Sequence, residues 1–387
     1  MAVTRRALMI GGGAVGLAAL GISGYVFTRT PSDALEPWQE AGDEAYQRDP
    51  RLFALSYAIL APNPHNMQPW RVVLERDDSL TLYCDLNKRL PETDPFDRQT
   101  TIGLGCFLEL LRLASAENNY RAEITPFPEG APEPNLDDRP IATVTFTADS
   151  SLVHNPIFDR VYYRRSSKEV FDTRRTVYQA ALDDLISKTE NPGWTHASSE
   201  NTLRQNLRQL TWESFKTELA TPGPWRESVD VMRIGKSEVN ANPDGIALTG
   251  LGIDIGATLG MISREALLDP SSDAYQEGLD RFEPVFMSGM AYLWQITPDN
   301  SRFSQLAAGR DWLRLNLEGA AIDLSMQPVS QALQEYAAQD DHREALNRLL
   351  GVPEGARLQM LGRLGYGKTP APSPRWPVSH ILEEQPA

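Results

Sequence analysis

Three features of this 387-residue chain predict an α+β fold built from two similar halves. Apolar segments with helical and strand spacing succeed one another without the βαβα alternation of a doubly wound sheet. Hydrophobic residues make up 41% of the chain and charged residues 23%, enough for one large domain or two with a sizeable core. A faint repeat is also visible. Pro69-Trp70 compares with Gly193-Trp194 at an offset of 124, and Gly105, Leu108, Leu111 and Leu113 compare with Gly309, Trp312, Leu315 and Leu317 at an offset of 204. Each match alone is chance-level, but if the halves are homologous, the second carries about 80 extra residues between these points.

The elements follow in order. Residues 4–10 read TRRALMI and lead into a Gly- and Ala-rich apolar run ending at Phe27. This resembles a twin-arginine export signal with Arg5 and Arg6 as the pair. Gly11, Gly13 and Gly16 also satisfy G-x-G-x-x-G, but that fingerprint needs a preceding strand, and only Ala7 to Ile10 could supply one. The run from Ala7 to Phe27 is long enough to span a membrane. Export by the twin-arginine route is therefore expected, to a periplasmic or membrane-anchored location, with residues 1–30 a signal or anchor.

A Pro- and acid-rich spacer (31–49) leads into the first half, 40–150. A helix around Phe53 to Leu60 must end in APNPHNMQPW, because Pro62, Pro64 and Pro69 forbid its continuation and Asn63 and Asn66 favour Asx-type turns. Strands are expected at 71–75 and 80–86. Asp94-Pro95 reads as a helix start before a long apolar helix at 102–116, and strands at 121–125 and 141–147 flank a Pro-rich loop. In the second half, 151–387, helices are expected through FDRVYYRRSSKEVF (158–171) and at 176–188, 203–219, 311–324 and 329–338, with a strand at 290–296. The extra residues fall at about 222–300, a Gly- and Met-rich stretch that is either a lid over a ligand or a helical subdomain.

Acidic residues outnumber basic ones by 52 to 37, a net charge of -15 that repels nucleic acid and anionic lipid. The two cysteines, Cys84 and Cys106, lack zinc-ligand spacing and read as free core thiols, with a disulfide as the alternative. The five histidines match no hydrolase motif. No catalytic side chain and no metal site is expected.

Three islands remain: APNPHNMQPW (61–70), RRSSKEVF (164–171) and RLGYGKTPAPSPRWPV (363–378). Together they resemble the nitroreductase superfamily of FMN-binding flavoproteins, with its A-P-S-x-x-N-x-Q-P-W, R-R-S-x-R-x-F and C-terminal Gly-Tyr patterns. Asn63 stands where that family usually has Ser, and Lys168 where it has Arg, which keeps the charge but loses the planar fork. The resemblance implies FMN as cofactor. Pro62, Asn63, Pro64, Asn66 and Gln68 would meet the flavin ring and ribityl chain. Arg164, Arg165, Ser166, Ser167, Lys168, Lys368 and Arg375 would hold the phosphate, and the loop Ser325, Met326, Gln327 would pass near N5.

Family members are usually homodimers with the flavin at the interface. Here the first half carries N-x-Q-P-W and the second carries R-R-S and the C-terminal cations. The implied molecule is a monomeric pseudo-dimer with one composite site, most like the Acg-like branch, whose lid can bury the flavin; Asp94, Pro95 and Arg98 form its D-P-x-x-R stretch. The expected activity passes a hydride from NAD(P)H through the flavin to a nitroaromatic or quinone-like acceptor. The rival reading is an FMN-sequestering protein with a closed lid; an exported structural domain without cofactor is a third. The partners are small molecules, with no nucleic acid.

Overall fold

A computed structural model describes residues 30–383. The expected export signal and the apolar run at 7–27 lie outside these residues, and no described helix is long and apolar enough to cross a membrane. The 31–49 stretch is not a bare spacer: it contains a short helix, α1 (Glu36–Glu40), with Pro37 in its first turn, burying Pro37 and Trp38. Helix α2 (Pro50–Ala58) follows, capped by the Asp49 carboxylate.

Strands β1 (Trp70–Leu74) and β2 (Ser79–Cys84) then form a hairpin. The central helix α3 (Arg98–Glu117) begins at Arg98, beyond the Pro95 start that the sequence suggests. Asp94 still serves its N-terminus, accepting from the backbone of Gln99 at 2.9 Å and of Thr100 at 2.8 Å. Strands β3 (Tyr120–Pro126) and β4 (Ala142–Ala148) complete the first half.

The second half opens with an irregular segment. Of the helix expected through 158–171 only one turn, Phe158–Arg160, forms. The rest runs beside Met326, where Ser166 makes a bridge and the Ser167 N–H donates to the Met326 carbonyl at 2.9 Å. Helix α4 (Gln179–Ser187) and strand β5 (Thr195–Ser198) follow.

A long insertion separates β5 from its hairpin partner. It holds α5 (Asn201–Ala220), α6 (Pro222–Asp230), β6 (Met232–Ile234), α7 (Gly235–Ala241), β7 (Ile246–Leu248), α8 (Leu251–Thr258), α9 (Arg264–Leu268) and α10 (Asp273–Met287). The chain resumes with β8 (Ala291–Thr297), α11 (Arg302–Ala321), which starts well before the expected 311, and β9 (Ser325–Pro328). Then come α12 (Asp340–Leu350), β10 (Arg357–Gly365), the turn α13 (Val378–Ile381) and β11 (Leu382–Glu383). The helix expected at 329–338 is two separate 3-10 turns, and the Leu333 carbonyl is taken by Arg98 at 3.0 Å instead of by a helical N–H.

The first sheet has the order β11-β1-β2-β4-β3 and the second β5-β8-β10-β9, so removing β11 leaves the same order in both. The extra length replaces the short turn 75–78 of the first hairpin with residues 199–290 in the second.

Helices α3 and α11 pack in the centre, both 20 residues long and displaced by 204 at each end. Their contact is reciprocal. A Cβ on Gly105 would lie 2.2 Å from the Leu306 carbonyl oxygen, and one on Gly309 would lie 2.0 Å from that of Ile102. The same displacement relates Ile102 to Leu306, so each glycine lets its helix backbone touch the counterpart of its own neighbour, the signature of a two-fold relation. Two buried arginines follow the same rule. Arg98 reaches into the second half, donating to Gln359 O at 2.6 Å, and Arg302 reaches into the first, donating to Pro134 O at 2.7 Å.

Candidate functional site

The loop 61–69 leaves α2 and climbs over α3 toward β1. It sits close because position 103 is glycine; a Cβ there would be 3.0 Å from Asn63 Cβ and 3.1 Å from Pro64 Cδ. His65, Asn66 and Gln68 all adopt positive φ, 46°, 57° and 54°. Such backbone is costly for residues other than glycine and persists only where surroundings impose it. Those surroundings are visible. Asn63 Oδ1 accepts from the Gln68 N–H at 2.7 Å, and Trp70 anchors the loop's end against Phe107 at a ring distance of 4.9 Å.

Gln68 is buried, and both ends of its amide are engaged within the protein. Its Nε2 donates to Pro243 O at 2.7 Å and its Oε1 accepts from the Trp376 N–H at 2.9 Å. Asn66 Nδ2 donates to Pro374 O at 3.1 Å, its Oδ1 accepts from Arg375 Nη1, and its carbonyl accepts from Gly245 N–H at 3.1 Å. Both side chains tie this loop to the insertion and to the C-terminal strap. Next to Pro243, the Asp244 carboxylate holds Lys88, Arg233 and the Trp376 indole N–H, joining the first half, the insertion and the strap at one buried charge.

Arg164 and Arg375 reach the start of this loop from the second half, and Arg165 lies beside them. Arg164 Nη2 donates to Leu60 O at 3.2 Å, and Arg375 Nη2 donates to Leu60 O at 3.1 Å and Ala61 O at 3.2 Å. Arg164 and Arg375 are fully buried and Arg165 half-buried. Arg164 Nη1, Arg165 Nε and Arg375 Nε are buried without hydrogen-bond partners, and no carboxylate pairs with any of the three among the described residues. Burial, then the charge of Arg165, pushes the Arg164 guanidinium down to about 10. Arg375 is also depressed, by burial and then by the charges of Arg164 and Arg165. A chain with 52 acidic residues leaves this cluster without one, and uncompensated buried charge is strongly unfavourable.

Ser166, Ser167 and Lys168 continue along β9, so the structure brings this island beside Ser325, Met326 and Gln327; the last three form a strand, not a loop. Ser167 Oγ is buried without a partner. Lys168 keeps contact with water, yet desolvation lowers its ammonium pKa, with Glu218 opposing and Arg281 adding to the shift. His65 behaves alike: desolvation, then Lys168, pushes it down to about 4 although it is only partly buried. Lys368 is exposed on the strap, unlike Arg375.

Arg363, in the middle of β10, is a site residue that the sequence did not single out. It donates to Gln327 Oε1 at 2.6 Å, to Ser167 O at 3.1 Å and to Glu169 O at 2.7 Å, and lies 4.0 Å over the Phe171 ring. It thus pins the R-R-S-S-K segment to the sheet. Cys84 and Cys106 are free, buried thiols, and no cluster of metal-binding side chains occurs among the described residues.

The gathered cations and the unpartnered Ser167 hydroxyl fit the phosphate of a ligand such as FMN. No family model matches the chain. It is 26% identical over 353 residues to the uncharacterised protein Rv3127 of Mycobacterium tuberculosis H37Rv, covering 85% of this chain and 92% of that one. It is 24% identical over 350 residues to the candidate NAD(P)H nitroreductase acg of the same organism, covering 85% and 94%. Among solved structures, a candidate nitroreductase from Anabaena variabilis aligns over 86% of this chain and 91% of its own, with 11% identity and a TM-score of 0.43. The FMN and NADPH-dependent nitroreductase NfnB from Sphigopyxis sp. strain HMH aligns over 60% and 99%, with 15% identity and a TM-score of 0.37. The sequence likeness along 85% of the chain supports the nitroreductase-like superfamily for this α+β protein.

Proposed function

We propose that this chain is an FMN-dependent oxidoreductase of nitroreductase type, taking a hydride from NAD(P)H and reducing a nitroaromatic or quinone-like acceptor. One observation carries the reading: three neighbouring guanidiniums without a carboxylate, two of them fully buried and bonded to the Leu60 and Ala61 carbonyls at the start of the loop. The candidate nitroreductase acg, similar along most of its length, supports it. When bound, the flavin supplies the two-electron chemistry.

The residues supply the rest. Arg164, Arg165 and Arg375 would hold the phosphate, and the unpartnered Ser167 hydroxyl can donate to the same group. Asn66 and Gln68 orient the loop from behind, through the insertion and the strap. With its pKa pushed down to about 4, the His65 imidazole is neutral at pH 7 and can donate or accept a hydrogen bond without adding charge.

We infer a fused pseudo-dimer with one composite site, because the loop belongs to the first half and the cations to the second; the matching strand orders and the reciprocal glycine contact support this. Export by the twin-arginine route, placing the protein in or facing the periplasm, completes the proposal. It rests on Arg5, Arg6 and the apolar run after them.

The test is the absorption spectrum of purified protein, followed by NAD(P)H oxidation with a quinone or nitroaromatic acceptor. Bound FMN and steady turnover are expected; colourless protein that binds no added FMN refutes the reading. FMN storage without turnover has its own support in the hydrogen bonds that join Pro243 and Gly245 of the insertion to the loop. Flavin that stays oxidised under excess NADH and NADPH would select it.

A further inference from the structure

The arginine cluster has a cover that none of the three sequence islands contains. Trp38, on α1, is buried with its ring centroid 4.6 Å from the Arg165 guanidinium and 5.6 Å from that of Arg375. Its indole N–H donates to Ser373 O at 2.7 Å, and the Ala34 carbonyl accepts from the Arg375 N–H at 2.9 Å. Ala34 N–H in turn donates to Asn240 Oδ1 of the insertion at 3.3 Å. Residues 34–38 therefore touch the C-terminal strap, the insertion and two of the three clustered cations.

We propose that Trp38 is a positioning residue for the phosphate-holding arginines, and that residues 34–40 form a strap whose seating depends on a phosphate bound there. The proposal rests on the FMN reading above. Three guanidiniums without a counter-charge repel one another, and the charges of Arg164 and Arg165 both act to lower the pKa of Arg375. An aromatic face attracts two cations at once without supplying a competing carboxylate, so it gathers the arginines and leaves their remaining N–H groups for a phosphate. Because Ala34 O and Ser373 O fix the strap through Arg375 and its neighbours, scattering the arginines also loosens residues 34–40.

The experiment titrates the full chain, freed of flavin, with FMN and with riboflavin, which lacks the phosphate. Wild type, Trp38→Leu and Trp38→Phe are compared. Loss of the aromatic face should weaken FMN by about tenfold or more while riboflavin changes by less than about threefold, and the Phe variant should recover most of the loss. Amide hydrogen exchange in residues 34–40 should slow when FMN is added and not when riboflavin is added.

Equal weakening of both flavins, or Leu and Phe variants that behave alike, would overturn the role of Trp38 while leaving FMN binding intact. Exchange that is indifferent to FMN would overturn the strap. Wild type that binds FMN no better than riboflavin would remove the phosphate reading, and this proposal with it.

Discussion

Replacing Arg164 by methionine separates a residue kept for its ligand from one kept for the fold. In the protein alone, Arg164 is 4% exposed and its side chain makes one hydrogen bond, 3.2 Å to Leu60 O, while Nη1 has no partner. Its guanidinium falls from the usual 12.5 to about 10, chiefly through burial. A fall of that size corresponds to about 3 kcal/mol against the charged form, whereas the lost hydrogen bond from a charged donor is worth about 1.5–3 kcal/mol. Methionine fills similar volume without charge. The flavin-free variant should therefore be as stable as wild type, or more stable by up to about 1.5 kcal/mol, in urea unfolding.

The bound state should respond oppositely. A hydrogen bond to a charged group contributes about 1.5–3 kcal/mol, so FMN should weaken by about 10- to 150-fold while riboflavin changes by less than about threefold. Fluorescence titration of the two flavins against the same protein reads both numbers. A variant that loses several kcal/mol without flavin, and binds FMN and riboflavin equally less well, would show that Arg164 is structural and would refute the reasoning.

Gly105→Ala forces a methyl to within 2.2 Å of Leu306 O, so α3 and α11 must part by about 1 Å; a loss of about 3 kcal/mol is expected in urea unfolding, and a cost below about 0.5 kcal/mol would refute the close contact. The pKa of His65 is depressed from 6.5 to about 4, so between those values the unfolded chain binds a proton that the folded chain does not. Stability should therefore fall as pH drops through that window, with a ceiling of about 3 kcal/mol from this ring, and His65→Gln should flatten the curve between pH 6.5 and 4. One FMN per chain should be released on denaturation, measured by absorbance against protein mass; two would count against the composite site. Changing Arg5 and Arg6 together to Lys should retain the protein in the cytoplasm on cell fractionation, and normal export would rule out the twin-arginine signal.

Regular elements were legible where one periodicity dominated. Leu80, Leu82 and Cys84 alternate inward along β2, and the long helix around Gly105 shows its apolar face over 20 residues. The repeat at an offset of 204 even located the helix pair whose glycines touch, because close backbone approach needs glycine at both counterparts. The segment 158–171 departs from expectation for a physical reason. Its pattern suits a helix, but Ser166 and Ser167 find their backbone partner in β9, about 160 residues away in sequence, and a long-range contact of that kind overrides local propensity without leaving any trace in local spacing.

The same distinction governs the site. Arg164, Arg165 and Arg375 could be named from the sequence because their islands resemble the family's R-R-S and C-terminal motifs. Trp38, Asp244 and Arg363 could not, because each acts through residues distant in sequence: Trp38 through Arg165 and Arg375, Asp244 through Lys88 and Trp376, and Arg363 through Ser167 and Gln327. Lys368 shows the converse. It lies in the basic C-terminal island yet is exposed, while Arg375 is 2% exposed among the arginines. Seven residues of extended chain span up to roughly 23 Å, so two cations in one motif need not serve one phosphate. The backbone separates the two: Arg375 is drawn inward because its N–H is held by Ala34 O and its guanidinium by Leu60 O and Ala61 O, and no comparable acceptor meets Lys368 among the described residues.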